Sequence, residues 1–352
     1  METSSADRPL KIAAIGLDHA HIYGQVPGLI AAGCELVATA TRDDDSSIAR
    51  GLRERYPDVP VRTEQEILDD PEIDLIVTAA IPKDRAEIAI AAMRAGKDVV
   101  TDKPGCTTFE QLEEIKKTVE ETGRFWSITF SERFEVPSVA RAGEIARSGA
   151  IGTIIQTLGL GPHREGDRVH LGDAAGRPAW FYDEANFGGI LVDICSHQID
   201  QFLWFTGSDT AEVVASTVGN FAHPDDPHMN DFGEVLLRSD NAQGYVRVDW
   251  FTPQGLPTWG DGRLFILGTK GYIELRKYVD VEGRSGTNHL FWVNDEGTHY
   301  EQLDGVPLTY YDHVVADVRD RTHTAAPQEH TFEVMRLALT AQQQAARRGH
   351  LQ

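Results

Sequence analysis

The chain has 352 residues, 41% of them hydrophobic and 25% charged, with 33 Lys plus Arg against 55 Asp plus Glu and a formal charge of −22. At roughly 150 residues per domain this length suits two domains. So acidic a surface repels phosphate backbones and anionic lipid, which excludes nucleic acid and membrane surfaces as expected partners and leaves small molecules. Cys34, Cys106 and Cys195 are scattered with no CxxC pair, the pattern of reduced thiols. METSSADRPL lacks the basic-then-apolar order of a signal peptide, and no run nears the ~18 apolar residues of a membrane span. A cytoplasmic setting is expected.

The first third alternates short apolar runs (KIAAIG, ELVATAT, DLIVTAA, DVVTDK, FWSITF) with helix-like stretches such as RAEIAIAAMRAG and FEQLEEIKKTVEETG. Parallel strands buried on both faces read this way, so a doubly wound α/β sheet is expected over residues 1–130.

The first strand runs into GLDHAHIYG, Gly16 to Gly24. Backbone N–H groups at such a strand–turn–helix junction form an anion site. The dinucleotide fingerprint asks for glycine where Asp18 and His21 stand. Gly16 supplies the tight turn, and Asp18 is either a helix N-cap or a carboxylate set against a pyrophosphate. The second strand ends ATATRDDDSS, placing Thr41 and Arg42 where the adenosine ribose is held. Arg42 either meets a 2′-phosphate, a lean toward NADP, or is a solvated arginine before a helix cap. The strand ending VVTDKPG sets Lys103 on the ligand-facing sheet edge, and Pro104 fixes the next turn.

From about residue 151 closely spaced strands with turns between them predict an open, mostly antiparallel sheet in an α+β domain spanning 131–352. A long helix over Asn186–Phe205 precedes it, and a final helix, TFEVMRLALTAQQQAARR, packs back on the body. Within FGGILVDICSHQIDQFLWF, Asp193 and His197 are spaced i, i+4 among apolar residues. They are either a proton-transfer pair or a histidine satisfied by its own aspartate. GPHREGDRVHLGDAAGRPAWFYDEANFGG carries His163, Arg164, Arg168, His170, Arg177 and Trp180. It is either an anionic-sugar contact or an ordered loop with packing aromatics, and WFTPQGLPTWGDGR, with Trp259, reads the same way. No HxxxH or HExxH run is present and no metal is expected. Asp18, His19, His21, Asp193, His197 and His163 or His228 are the groups a metal-dependent variant would use.

Four segments together resemble the Gfo/Idh/MocA oxidoreductase family: DKPG (Asp102 to Gly105), GGILVDICSHQID (Gly188 to Asp200), SERFEVP with its arginine after the sixth strand, and ILGTKGYIE. The resemblance covers nearly the whole chain in order. It implies an N-terminal Rossmann domain, a C-terminal α+β domain, NAD or NADP, and a homodimer or homotetramer. It also implies hydride transfer from a hydroxyl-bearing carbon of a sugar, polyol or related acid. On the family pattern Lys103 contacts substrate and nicotinamide, Asp193 orients substrate, and His197 is the general base. Gly16, Leu17, Asp18, His19, His21, Thr41, Arg42, Pro82 and Lys103 fall on the cofactor side, where Ala86 replaces a frequent histidine. Arg133, His163, Arg164, Trp180, Asp193 and His197 fall on the substrate side. The same fold also admits a redox-neutral hydrolase or lyase with tightly held nicotinamide, a metal-dependent enzyme, or a non-enzymatic member.

Overall fold

The computed structural model describes residues 8–43, 46–166 and 177–351. These fall into two compact units. The first takes in the chain up to residue 129 together with 309–332; the second takes in the described residues of 130–308 and those from 333 onward.

In chain order the first unit begins β1 (Lys11–Leu17), α1 (Ile22–Ala31), β2 (Glu35–Ala40), α2 (Ser47–Arg55), α3 (Glu64–Leu68), β3 (Leu75–Ala79), α4 (Pro82–Arg94), β4 (Asp98–Asp102), α5 (Phe109–Thr122) and β5 (Trp126–Thr129). Every strand pairing in this sheet is parallel, in the order β2-β1-β3-β4-β5. β3, β4 and β5 are buried along their whole length, which is why they read as continuous apolar runs and not as alternating ones. The helices between them carry ordinary stop and start chemistry. Thr108 caps α5 by accepting from the Gln111 N–H, and Gly123 ends it in the left-handed region at φ +63°.

The second unit holds α6 (Ser131–Phe134), α7 (Pro137–Arg147), β6 (Ile154–Pro162), α8 (Glu184–Phe187), α9 (Ile190–Asp193), α10 (Cys195–Thr206), β7 (Glu212–Asn220), β8 (Phe232–Arg238), β9 (Gln243–Asp249), β10 (Arg263–Gly268), β11 (Gly271–Arg276), β12 (His289–Asn294) and β13 (Gly297–Gln302). The chain closes with α11 (Tyr310–Asp320), α12 (Gln328–Gln344) and β14 (Ala346–Gly349). Among the described residues the second sheet has nine strands in the order β13-β12-β11-β10-β6-β9-β8-β7-β14. Only the β6–β9 and β14–β7 pairings are parallel.

Register separates the two faces of this sheet. Val235, Val246, Gly159, Leu264, Leu275 and Leu290 pair in one row across β8, β9, β6, β10, β11 and β12, and all are buried. With Val139, Ala142, Ile145 and Phe205 several of them build the core against α7 and α10. The adjacent row, Leu236, Tyr245, Leu158, Phe265, Glu274 and Phe291, stays half-buried on the other face.

Several expectations are corrected. The helix expected over 186–205 is three pieces: Gly188 and Gly189 take φ +86° and +91° between α8 and α9, and Ile194 interrupts the turn before α10. SERFEVP follows the fifth strand, not a sixth. The last helix stops at Gln344, and the polar stretch after it pairs with β7 instead of extending the helix. Asp18 caps no helix: α1 starts at Ile22 with His21 at its N-cap, and Asp18 Oδ2 accepts from the Ile81 N–H at 3.3 Å. No helix among the described residues is long and apolar enough to cross a membrane.

Candidate functional site

In the first unit the carboxyl ends of β1 and β4 bring one side-chain cluster together. Gly16 turns the chain at φ +73°, and a Cβ there would overlap the Ala80 side chain. The Asp18 and His19 N–H groups both donate to Ala79 O, at 3.1 and 2.9 Å, which ties the turn to the end of β3. Burial raises the Asp18 carboxyl, with the Ile81 N–H opposing. Leu17 is fully buried and its carbonyl accepts from Ser46 Oγ at 2.8 Å.

Asp102, 1% exposed, is the hub of the cluster. His21 Nδ1 lies 2.8 Å from its Oδ1, His19 Nδ1 3.4 Å from its Oδ2, and Arg85 Nη2 2.9 Å from the same Oδ2. Burial alone would raise the Asp102 carboxyl, but His21 and Arg85 beside it hold it well below the usual range. Burial, reinforced by His21, drops the His19 imidazole well below its ordinary value. Lys103, next in the chain, is 3% exposed; its N–H donates to Asp102 Oδ1 and its carbonyl accepts from Arg85. Pro82 opens α4 at its first turn. Thr41 Oγ1 donates to Asp43 O at 2.9 Å. Arg42 is committed: its guanidinium reaches Glu64 at 2.7 and 3.1 Å and Glu87 at 3.4 Å.

The second unit holds the other cluster. Asp193 ends α9 and His197 lies in the first turn of α10, 7% and 2% exposed. The His197 ring meets Phe130 edge-on at 6.2 Å. Alongside lies a buried polar network that the sequence did not reveal. Lys277 Nζ donates to Glu132 Oε2 at 2.7 Å and to Gln201 Oε1 at 2.9 Å, and Gln198 Nε2 donates to the same Glu132 oxygen at 2.7 Å. Burial would raise Glu132, yet the Lys277 ammonium, with His197 and His163 near it, holds the carboxyl down at about 2.

Arg133 forms a two-pronged pair with Asp200, at 2.6 and 2.7 Å, and its guanidinium stacks on Phe134. Arg164 Nη2 donates to the Pro253 and Leu256 carbonyls. His163 packs between Trp250 and Trp259, at ring distances of 5.2 and 4.5 Å. Arg177 sits 4.8 Å from both the Phe181 and Trp250 rings, and burial lowers it while Asp193 pulls the other way. Trp180 meets Phe181 edge-on. Arg168 and His170 lie outside the described residues. Of the metal-ligand types named from sequence, His19 and His21 converge, and the third group with them is Asp102, not Asp18.

The parallel sheet with its Gly16 turn has the architecture of a dinucleotide-binding domain. Residues 14–130 match the oxidoreductase family model with an NAD-binding Rossmann fold, and 139–274 match the GFO/IDH/MocA C-terminal domain. The chain belongs to the GFO/IDH/MocA oxidoreductase family. It is 26% identical over 274 residues to scyllo-inositol 2-dehydrogenase (NAD(+)) of Bacillus subtilis, covering 75% of this chain and 71% of that protein. A crystal structure from Erwinia carotovora atroseptica shares 44% identity and a TM-score of 0.91 over 96% of this chain and 99% of that one. A 3-ketoreductase from Actinomadura kijaniata, solved with NADP, shares the fold at 18% identity and a TM-score of 0.73, over 97% and 99%.

The residues of the tight turn are held by packing within the unit: a Cβ at Gly16 would meet Ala80, and the Asp18 and His19 N–H groups are spent on Ala79 O. They depart from the fingerprint at Asp18 and His21.

Proposed function

We propose that the protein oxidises a hydroxyl-bearing carbon of a sugar, polyol or related acid. The observation that carries the reading is His197: an imidazole 2% exposed, on the family-matched helix, one turn from an equally enclosed carboxylate, Asp193. A bound nicotinamide supplies the hydride acceptor. The alcohol O–H proton must leave as the hydride does, and a neutral imidazole takes it near pH 7. Asp193 orients the substrate hydroxyls. The Lys103 ammonium stabilises charge developing on the substrate oxygen.

On the cofactor side Gly16, Leu17, His19, His21, Thr41, Pro82 and Lys103 are the residues that would hold the dinucleotide. The lean toward NADP rested on Arg42, and its engagement by Glu64 and Glu87 supports NAD instead, because two carboxylates at that place repel a 2′-phosphate. The half-buried face carrying Leu158, Leu236, Phe265 and Phe291 supports self-association as a homodimer or homotetramer.

The test is a panel of sugars, inositols and sugar acids incubated with NAD or NADP while the absorbance of reduced nicotinamide is followed. Turnover of at least one polyol with NAD is expected; no reduction across a broad panel overturns the reading.

A further inference from the structure

We propose that His19, His21 and Asp102 bind a divalent first-row transition-metal ion. The inference gives the turn assigned above to the dinucleotide a second ligand, and its test reads metal and not turnover, so either reading can fail without the other.

The two histidines sit one residue apart just past β1, and Asp102 is the last residue of β4. One ligand atom from each lies within 4.8 Å of the other two. The histidine rings stand 4.1 Å apart at 75°, and each faces a different oxygen of the one carboxylate.

The detail that calls for a cation is the His19 contact. The His21 N–H donates to His19 Nδ1 at 3.3 Å, so that nitrogen carries its lone pair and not a proton. The same Nδ1 faces Asp102 Oδ2 at 3.4 Å, a lone pair set against a carboxylate oxygen. Asp102 Oδ2 is itself buried and accepts no aligned hydrogen bond, although the Arg85 guanidinium lies beside it. A metal ion shared by the three groups turns this repulsion into coordination.

Outer groups are already in place to hold the carboxylate. The Lys103 N–H binds Oδ1, and the Arg85 guanidinium, 1% exposed, lies 2.9 Å from the other oxygen. His21, with its side chain 39% exposed, gives the ion a way in.

The donor set narrows the metal. Two imidazole nitrogens and one carboxylate suit zinc, ferrous iron or cobalt, whereas magnesium and calcium prefer oxygen throughout. Three protein ligands leave positions open, as in sites where the ion meets a further ligand. The charges point the same way. Arg85 cancels Asp102, an imidazole binds a metal as a neutral ligand, and the ion's two positive charges would draw an anion or hydroxide to complete the shell.

The experiment uses the untagged full-length chain, stripped with chelator and titrated with Co²⁺. Expected are one equivalent of cobalt per chain, a visible d–d absorption, and its loss when Zn²⁺ displaces the cobalt. His21→Ala and His19→Ala should each weaken cobalt affinity by at least about 100-fold. The metal-free variants should keep the wild-type circular dichroism spectrum. Sub-stoichiometric cobalt with no absorption in the folded wild type overturns the proposal. So does a stoichiometric site whose affinity neither variant changes.

Discussion

Lys277 Nζ donates to Glu132 Oε2 at 2.7 Å, and the two side chains are 0% and 2% exposed. A charge pair this deep has already lost its hydration, so its members depend on each other. Lys277→Met removes the ammonium and leaves the buried Glu132 carboxylate the Gln198 amide at 2.7 Å, and should destabilise the fold by about 3–5 kcal/mol. The double change Glu132→Leu with Lys277→Met should recover most of that loss, because no charge is then stranded. Urea unfolding of the wild type and the two variants measures both.

Gly16→Ala meets two penalties at once. The backbone sits at φ +73°, and the new methyl overlaps Ala80. Left-handed strain of about 1–2 kcal/mol and overpacking of about 1–3 kcal/mol give an expected loss of roughly 2–5 kcal/mol. Equilibrium unfolding reads it directly. A variant as stable as the wild type would show that the turn relaxes.

Glu64 and Glu87 together should set cofactor preference through Arg42. Glu64→Gln with Glu87→Gln frees the guanidinium and removes two charges that repel a 2′-phosphate. NADPH affinity should rise about tenfold relative to NADH, an effect near 1.4 kcal/mol. Fluorescence titration with both reduced cofactors decides it, and an unchanged ratio counts against the NAD assignment.

His223 gives the fold a pH dependence in the alkaline range. Its ring bridges Asp231 at 3.0 Å and Glu165 at 2.8 Å, with Tyr182 donating to the same Glu165. Hydrogen bonds to Asp231 and Glu165 raise its pKa from 6.5 to about 9. A raised folded-state value means the stabilisation is complete below the unfolded pKa near 6.5 and is lost as pH climbs through about 9. After discounting for partial solvent screening, about 1–2 kcal/mol should disappear between those limits. His223→Gln should flatten that part of the urea-measured stability profile.

How far the sequence reached depended on where each signal lay. The five parallel strands were legible because strands buried on both faces leave continuous apolar runs, as LIVTA in β3 does. Lys103 and the Asp193–His197 pair stood out as candidates because each lies in one compact motif, and all three side chains are buried. The role of Asp102 was not, since its partners come from residues 19, 21 and 85. Arg85 reads as one more exposed charge on α4, yet it is 1% exposed. The Glu132–Lys277 pair spans 145 positions of sequence and leaves no local trace. ARRG of β14 was invisible for another reason: all four residues are exposed, so it has no buried face to alternate with. The helix broke at Gly188 and Gly189 because glycine at positive φ ends a helical turn that an apolar pattern alone would continue.

The central claim is that His197 takes the hydroxyl proton as hydride leaves. The most direct measurement is kcat/KM against pH for the wild type and His197→Ala, on whichever polyol the panel identifies, with thermal melts in parallel. The account predicts a rate loss of about 10²–10⁴-fold and disappearance of the wild type's acidic limb, with the melt little changed. An unchanged rate, or an acidic limb that persists in the variant, would contradict it.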